Sequence, residues 1–295
     1  MTRHFLEVDD LSAAELAAVL DLAAEKHPTR VLEGRGVALL FEKPSLRTRN
    51  ATEVAVFELG GHPLTLRGEE VGLADREPVA DVARVLSRYH AAICARVFEH
   101  DKLDELAAAA SVPVVNLLSD DSHPCQAVAD LLTLRQHFGQ LSGLEIAYVG
   151  DFNNVSRSLA IAAALSGIGV RLACPPGFGP SDEDLDRFRL LGLDPLITNR
   201  PVEAVSGADA VYTDVWTSMG QENESAARRQ AFEGFIVDAD LMKEAKESSV
   251  FLHCLPAHRG EEVAASVVDG RQSLVWQQAE NRLHAVRGLF LWLFG

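Results

Sequence analysis

The chain is short of positive charge. Among 295 residues, 27 Lys and Arg stand against 43 Asp and Glu, a formal net charge of −16. A nucleic-acid binder would show a broad basic face, so this balance argues against that class, and it favours solubility. Paired cysteines are missing too. Cys94, Cys125, Cys174 and Cys254 are scattered with no C-x-x-C pair. That pattern fits free thiols in a reducing, cytoplasmic compartment and weakens the case for a zinc site. No run approaches the roughly 18–20 apolar residues of a membrane span. The opening MTRHFLEVDD has no apolar h-region, so a signal peptide is not expected. Neither G-x-x-x-x-G-K-[ST] nor G-x-G-x-x-G occurs, which removes the signatures of a P-loop and of a dinucleotide site. There is no repeat of solenoid period and no low-complexity tract.

What is present reads as alternating strands and helices. A hydrophobic content of 47% and a charged content of 24% are ordinary for a globular protein, and a chain of this length usually splits into two domains. Ser12-Ala13-Ala14-Glu15 is a capping-box pattern leading into an amphipathic helix. VALLF (37–41) is a buried-strand candidate, and helix is expected from Ala51 to Leu59, before Gly60-Gly61. HPLTL, AAICARV and VPVVNLL are further strand candidates, with helices expected over 79–89 and 101–110. Ser122 is expected to cap a helix with Pro124 in its first turn, ending at Gly139. A second alternation follows. LEIAYVGD, VRLACPP, DPLIT, ADAVYTDV and SSVFLHCLP are strand candidates; SLAIAAALSG, DEDLDRFRLLG and DADLMKEAKES are helix candidates. Such alternation predicts α/β architecture with mainly parallel sheets flanked by helices. The expected division is 1–138 and 139–275, with a final amphipathic helix over about 276–295 that must dock on one of the two.

One stretch departs from the acidic background. FEKPSLRTR (41–49) follows a strand candidate directly and gathers Lys43, Ser45, Arg47, Thr48 and Arg49. A helix N-terminus offers unpaired N–H groups and the positive end of the dipole. With Ser45, Thr48 and the Arg47 guanidinium added, the stretch reads as a cradle for an anion. A capped helix with surface salt bridges is the bland alternative, and these residues alone leave both open.

FEKPSLRTR closely resembles the phosphate-binding S-x-R-T-R signature of the aspartate/ornithine carbamoyltransferase family. HPCQ (123–126) resembles the family's second signature, and DVWTSMGQE (214–222) and HCLPAHRGEEV (253–263) resemble segments typical of its ornithine branch. The four follow the family's order across most of the chain. The resemblance implies two α/β domains, 1–138 for carbamoyl phosphate and 139–275 for the amino acid, with the last helix packing back on the first. It implies transfer of the carbamoyl group of carbamoyl phosphate to the side-chain amine of L-ornithine, giving L-citrulline and phosphate in arginine biosynthesis or urea-type metabolism. No cofactor and no metal are implied, and assembly is expected as a homotrimer or a multiple of trimers.

Roles carried over by the resemblance are specific. Ser45, the Leu46 backbone N–H, Arg47 and Thr48 would hold phosphate. Arg96 would span phosphate and carbonyl oxygen, and Arg282 would reach carbamoyl phosphate from the last helix. His123 and Gln126, three apart on one helical face, would meet the carbonyl oxygen and the carbamoyl NH2. Leu255, before Pro256, would also bind carbamoyl phosphate, and the peptide between them is cis in the family. Asn154, Asp214, Ser218 and Met219 would bind ornithine, and Cys254 with Asp214 would face the reacting amine. Singly, each has a duller reading: Arg96 a surface arginine, H-P-x-Q a helix entry, GDFNN an Asn-rich turn with a helix cap, Arg282 a solvated helix residue. A metal held by His253, Cys254 and His258 is not favoured, because the spacing fits no common site. Two departures stand out: Leu46 occurs where many relatives have Thr, and Gly72 where many have a polar residue reaching a neighbouring subunit. The rival readings are a carbamoyltransferase for putrescine or an N-acylated ornithine, and a non-catalytic paralogue.

Overall fold

The computed structural model describes residues 2–218 and 222–295. The chain forms two compact units, Met1–Leu132 with Glu280–Gly295, and Thr133–Ala279. The breaks lie at 132/133 and 279/280, against expected boundaries at 138/139 and about 275/276. In chain order the elements are α1 (Ala13–Ala23), β1 (Gly36–Phe41), α2 (Leu46–Glu58), β2 (His62–Arg67), α3 (Gly68–Val71), α4 (Val79–Tyr89), β3 (Ala92–Arg96), α5 (Asp101–Ala109), β4 (Val114–Leu118) and α6 (Pro124–Phe138). There follow β5 (Glu145–Val149), α7 (Asn154–Ser166), β6 (Gly169–Ala173), α8 (Asp182–Leu190), β7 (Leu196–Thr198), α9 (Pro201–Val205) and β8 (Ala210–Tyr212). The last are α10 (Ser225–Ala231), α11 (Ala239–Met242), β9 (Val250–Leu252), α12 (Ala265–Val268) and α13 (Val275–Phe294).

Each unit carries one parallel sheet. The first runs β2-β1-β3-β4 and the second β7-β6-β5-β8-β9, with every pairing parallel. Strands covered on both faces read as unbroken apolar runs. β1, β3, β5, β8 and β9 do so, and all but the first residues of β1 and β5 are buried. β2 and β7 are edges and are more exposed. Strand order reverses between β1 and β3 in one sheet and between β5 and β8 in the other. The carboxyl ends at such reversals open crevices where ligands of open α/β sheets gather.

Three local expectations shift. α2 begins at Leu46, because the Ser45 hydroxyl accepts from the Thr48 N–H at 3.2 Å and caps the helix there. Arg47 and Arg49 therefore lie on the first turns of a helix, and Lys43 precedes it. Ser122 does not cap α6. That helix opens at Pro124, with the His123 carbonyl accepting from Gln126 and Ala127, while the Ser122 hydroxyl accepts from Asn116 Nδ2 at 2.8 Å. The helix expected over DADLMKEAKES is only α11. The chain leaves it because Gly207 N–H donates to Glu244 O, Lys246 N–H donates to Ala208 O, and Lys246 Nζ pairs with Asp209 at 2.8 Å.

The C-terminal part of α13 packs within the first unit. Arg287 donates to Glu58 Oε2 at 2.8 Å and to the carbonyls of Ala23 and Glu25 at 3.2 and 2.7 Å, satisfying the end of α1. Gly288 sits where a Cβ would lie 2.6 Å from both Ala23 N and Val19 O. Ala is intrinsically the better helix former by about 1 kcal/mol. Here contact with rigid backbone reverses the sign. Gly288→Ala is expected to lower the free energy of urea unfolding by about 1–3 kcal/mol; a stabilised variant would refute this close approach.

Candidate active site

In the first unit, the candidate residues converge at the carboxyl ends of β1 and β3. Phe41 and Arg96 are in register, and Glu42 N–H donates to the Arg96 carbonyl at 2.9 Å. Glu42 ties the two strand ends further. Its carboxylate accepts from Phe98 N–H at 2.9 Å and from Lys102 Nζ at 2.9 Å. Thr48, one turn into α2, is 3% exposed. Its hydroxyl accepts from Arg282 Nη2 at 2.7 Å and from Arg96 Nη1 at 3.5 Å. Both guanidinium groups only donate, so the hydroxyl hydrogen of Thr48 is free to point to a third partner. Arg282 Nη1 donates to Gln126 Oε1 at 2.5 Å, and Gln126 Nε2 donates to Asp130 Oδ1 at 2.7 Å.

This is a buried, cation-rich centre. Arg96, His123, Gln126 and Arg282 are all buried. Burial, then the charges of Arg282, Arg96 and Arg47, hold His123 well below the usual histidine range. A neutral imidazole results, able to donate one hydrogen bond without a net charge. Lys43 is also buried, lies 4.2 Å from the Phe98 ring centroid, and is lowered by burial and by Arg96. Ser45 is engaged as the helix cap, and the Leu46 side chain is 75% exposed, which leaves its backbone as the part that faces the helix start.

In the second unit, the β5 and β8 ends supply the counterpart. Asn153 caps α7, its Oδ1 accepting from Val155 and Ser156 N–H at 2.9 and 3.2 Å. Its Nδ2 donates to Asp214 Oδ2 at 2.9 Å, and the Cys254 thiol donates to Asp214 Oδ1 at 3.0 Å. Asp214 is 5% exposed. Its carboxylate has about four lone-pair sites, so two remain for other donors. Asn154 opens α7, and Ser218 follows β8 in the same unit. Met219 lies outside the described residues. Leu255 has φ of 60°, an uncommon conformation for a branched residue, and its peptide to Pro256 is cis. The Leu255 N–H donates to His253 Nδ1 at 2.9 Å, and His253 Nε2 meets Glu262 Oε1 at 3.2 Å. Asp214, His253 and Cys254 hold ligand-type atoms within 4.8 Å of one another. Both His253 ring nitrogens are engaged, however, so metal ligation there would have to break a hydrogen bond.

Sequence reasoning passed over Asn153, Asp130 and the Asp151–Arg228 pair. Asn153 had a signal in its cap position. Asp130 had one in its four-residue spacing from Gln126. Arg228 had none, since it comes from α10 to donate to Asp151 Oδ2 at 2.9 Å and to the Trp216 carbonyl at 3.0 Å. Burial pushes Asp151 up to about 6 even beside this guanidinium.

Two parallel α/β units, each with polar side chains gathered at the strand-order reversal, define a ligand-binding α/β protein with a cationic centre in one unit and an acidic one in the other. The comparisons give it a family. The profile described as aspartate/ornithine carbamoyltransferase, carbamoyl-P binding domain, matches residues 3–136, and that of the Asp/Orn binding domain matches residues 142–293. The chain is 52% identical over 302 residues to an ornithine carbamoyltransferase of Acidothermus cellulolyticus, covering 99% of this chain and 97% of that one. The solved ornithine carbamoyltransferase from Pyrococcus furiosus superposes with a TM-score of 0.95 at 45% identity, covering 99% of this chain and 97% of the other. An acetylornithine transcarbamylase complexed with acetylcitrulline superposes with a TM-score of 0.90 at 31% identity, covering 99% of each. The chain belongs to the aspartate/ornithine carbamoyltransferase family.

His123 makes a pH prediction. The unfolded chain takes up its proton as pH falls through about 6.5, whereas the folded protein resists. The unfolded state then binds more protons, so stability falls as pH drops below about 6.5. Urea unfolding across this range should show that fall, and His123→Asn should make it shallower; an unchanged slope would contradict the buried neutral imidazole.

Proposed function

We propose that the protein transfers the carbamoyl group of carbamoyl phosphate to the side-chain amine of L-ornithine, yielding L-citrulline and phosphate. The observation that carries this reading is the Thr48 hydroxyl between the Arg96 and Arg282 guanidiniums, in the segment matching a carbamoyl-P binding domain. The full-length relative at 52% identity supports the same activity.

Ser45, the Leu46 N–H, Arg47 and Thr48 bind the phosphate, using the α2 N-terminus as well as side chains. Arg96, His123 and Thr48 face the carbonyl oxygen. As the amine attacks, charge builds on that oxygen, and donors fixed in a buried site stabilise it without reorganising. Gln126 takes the carbamoyl NH2, and Arg282 adds positive charge at the phosphate. Asn154, Asp214, Ser218 and Met219 bind ornithine, with Cys254 and Asp214 near the reacting amine.

The nucleophile sets the main energetic difficulty. An alkylammonium titrates near 10.4, so near pH 7.5 about one molecule in a thousand is neutral, a deficit of roughly 4 kcal/mol. Desolvation on binding favours the neutral amine. The amine nitrogen then bonds to the carbamoyl carbon, the carbon–oxygen bond to phosphate breaks, and the departing phosphate takes the proton. Carbamoyl phosphate is already an activated acyl donor, so this route needs no Lewis acid. Holding both substrates in position supplies much of the remaining acceleration.

The amine class is the finer point. An N-acylated substrate offers no α-ammonium, whereas the Asp214 carboxylate retains acceptor sites suited to one. The acetylornithine relative shares the fold, so the fold does not choose between these amines. Assay of purified protein with carbamoyl phosphate and ornithine, N-acetylornithine or putrescine should give ureido product with free ornithine. Preference for another amine overturns the assignment. Arg47→Ala should lower kcat/KM for carbamoyl phosphate by about 100- to 1000-fold with circular dichroism unchanged; retained turnover would remove Arg47 from the site.

Assembly as a homotrimer, or a multiple of it, in the cytoplasm completes the proposal. Leu46, Val54 and Phe57 on α2 and Leu64 on the adjacent edge strand are exposed, which supports coverage by another chain. No described helix is long and apolar enough to cross a membrane. Light scattering should give three times 32.0 kDa or a multiple of that; a monomer would exclude it.

A further inference from the structure

We infer that Asp130 is a positioning residue for the carbamoyl-phosphate end of the site: its buried carboxylate fixes the Gln126 amide with oxygen toward Arg282, and through that amide aims the guanidinium. The inference rests on the function proposed above. Gln126 and Asp130 are four apart on α6 and therefore share a face. Asp130 is 0% exposed and Gln126 is 1% exposed, so neither reaches bulk water.

The amide has two ends of nearly equal shape, and its neighbours decide which end points where. Arg282 Nη1 lies 2.5 Å from Oε1, and Asp130 Oδ1 lies 2.7 Å from Nε2. A guanidinium only donates and an ionised carboxylate only accepts. Flipping the amide would set donor against donor at one end and acceptor against acceptor at the other. Asp130 thus holds the amide one way round. Gln126 Oε1 and Thr48 Oγ1 then grip the two terminal nitrogens of Arg282, which fixes the plane of the guanidinium. Asp130 acts through Gln126, so it is not a catalytic residue.

Asp130→Asn keeps the shape and removes the preference, since Asn offers Gln126 a donor as readily as an acceptor. It should raise KM for carbamoyl phosphate and lower kcat, together reducing kcat/KM by about 10- to 100-fold, while KM for ornithine stays unchanged. In a Gln126→Ala background, the same change should have no further effect. Additive losses, or a moved ornithine KM, would mean that Asp130 acts by another route and would overturn the inference. A second measurement needs neither turnover nor a variant at position 130. In the intact protein, the Gln126 side-chain NH2 resonances, assigned by their loss in Gln126→Ala, should form one set and exchange slowly with water. Fast exchange or two orientations would overturn the inference even if Asp130→Asn failed to fold. If no carbamoyl transfer is found, the function reading fails, and the NH2 exchange still judges the role of Asp130.

Discussion

Two guanidinium groups, those of Arg96 and Arg282, are held together out of water. Like charges in a low-dielectric setting repel, and each has lost hydration. The first unit answers with shared acceptors: the Thr48 hydroxyl for two arginines, the Gln126 amide oxygen for one of them, and Asp130 behind that amide. The arrangement still keeps a net positive field, which an arriving dianion would relieve. Much of the surrounding structure serves this grouping. β1 and β3 are buried and in register so that their ends meet, and the α2 cap at Ser45 starts a helix where its dipole adds to the same field.

The second unit solves a different problem with the same architecture. A carboxylate sits at a strand end, largely buried, and needs donors to hold it. Asn153 does two jobs there, capping α7 with its oxygen and steadying Asp214 with its nitrogen. Cys254, just past the end of β9, donates to the other carboxylate oxygen. The Leu255 conformation is secured by an acceptor on its own neighbour, His253, whose ring is set in turn by Glu262. Strained backbone at functional sites persists only where the surroundings over-determine it, as they do here.

Much of this was legible in the sequence. Continuous apolar runs announced β1, β3, β5, β8 and β9, and a second alternation after α6 announced a second sheet. The capping box at Ser12 is realised with both hydrogen bonds. Helix starts were read less well where a polar residue had two possible partners. Ser122 looked like a cap but spends its hydroxyl on Asn116, and the helix waits for Pro124. DADLMKEAKES has helical composition, yet an ion pair and two backbone bonds to residues 207–209 draw most of it away. At the site, motif residues were named through the resemblance of short segments to a family, since singly each has a duller reading. Residues acting through a partner were not. Asp130 looks like any helix acid, and Arg228 reaches Asp151 across 77 positions of chain.

The C-terminal segment has a consequence for biosynthesis. Glu280–Gly295 belongs to the same unit as the first 132 residues, whereas the other unit is one continuous stretch ending at Ala279. The ribosome therefore delivers every residue of the later unit before it releases the closing piece of the earlier one. Domains emerging from synthesis generally mature in order, first to last. Here the order is inverted for the earlier unit: it must wait, with Thr48 and Gln126 lacking Arg282 and the end of α1 lacking Arg287, until residues 280–295 have been made.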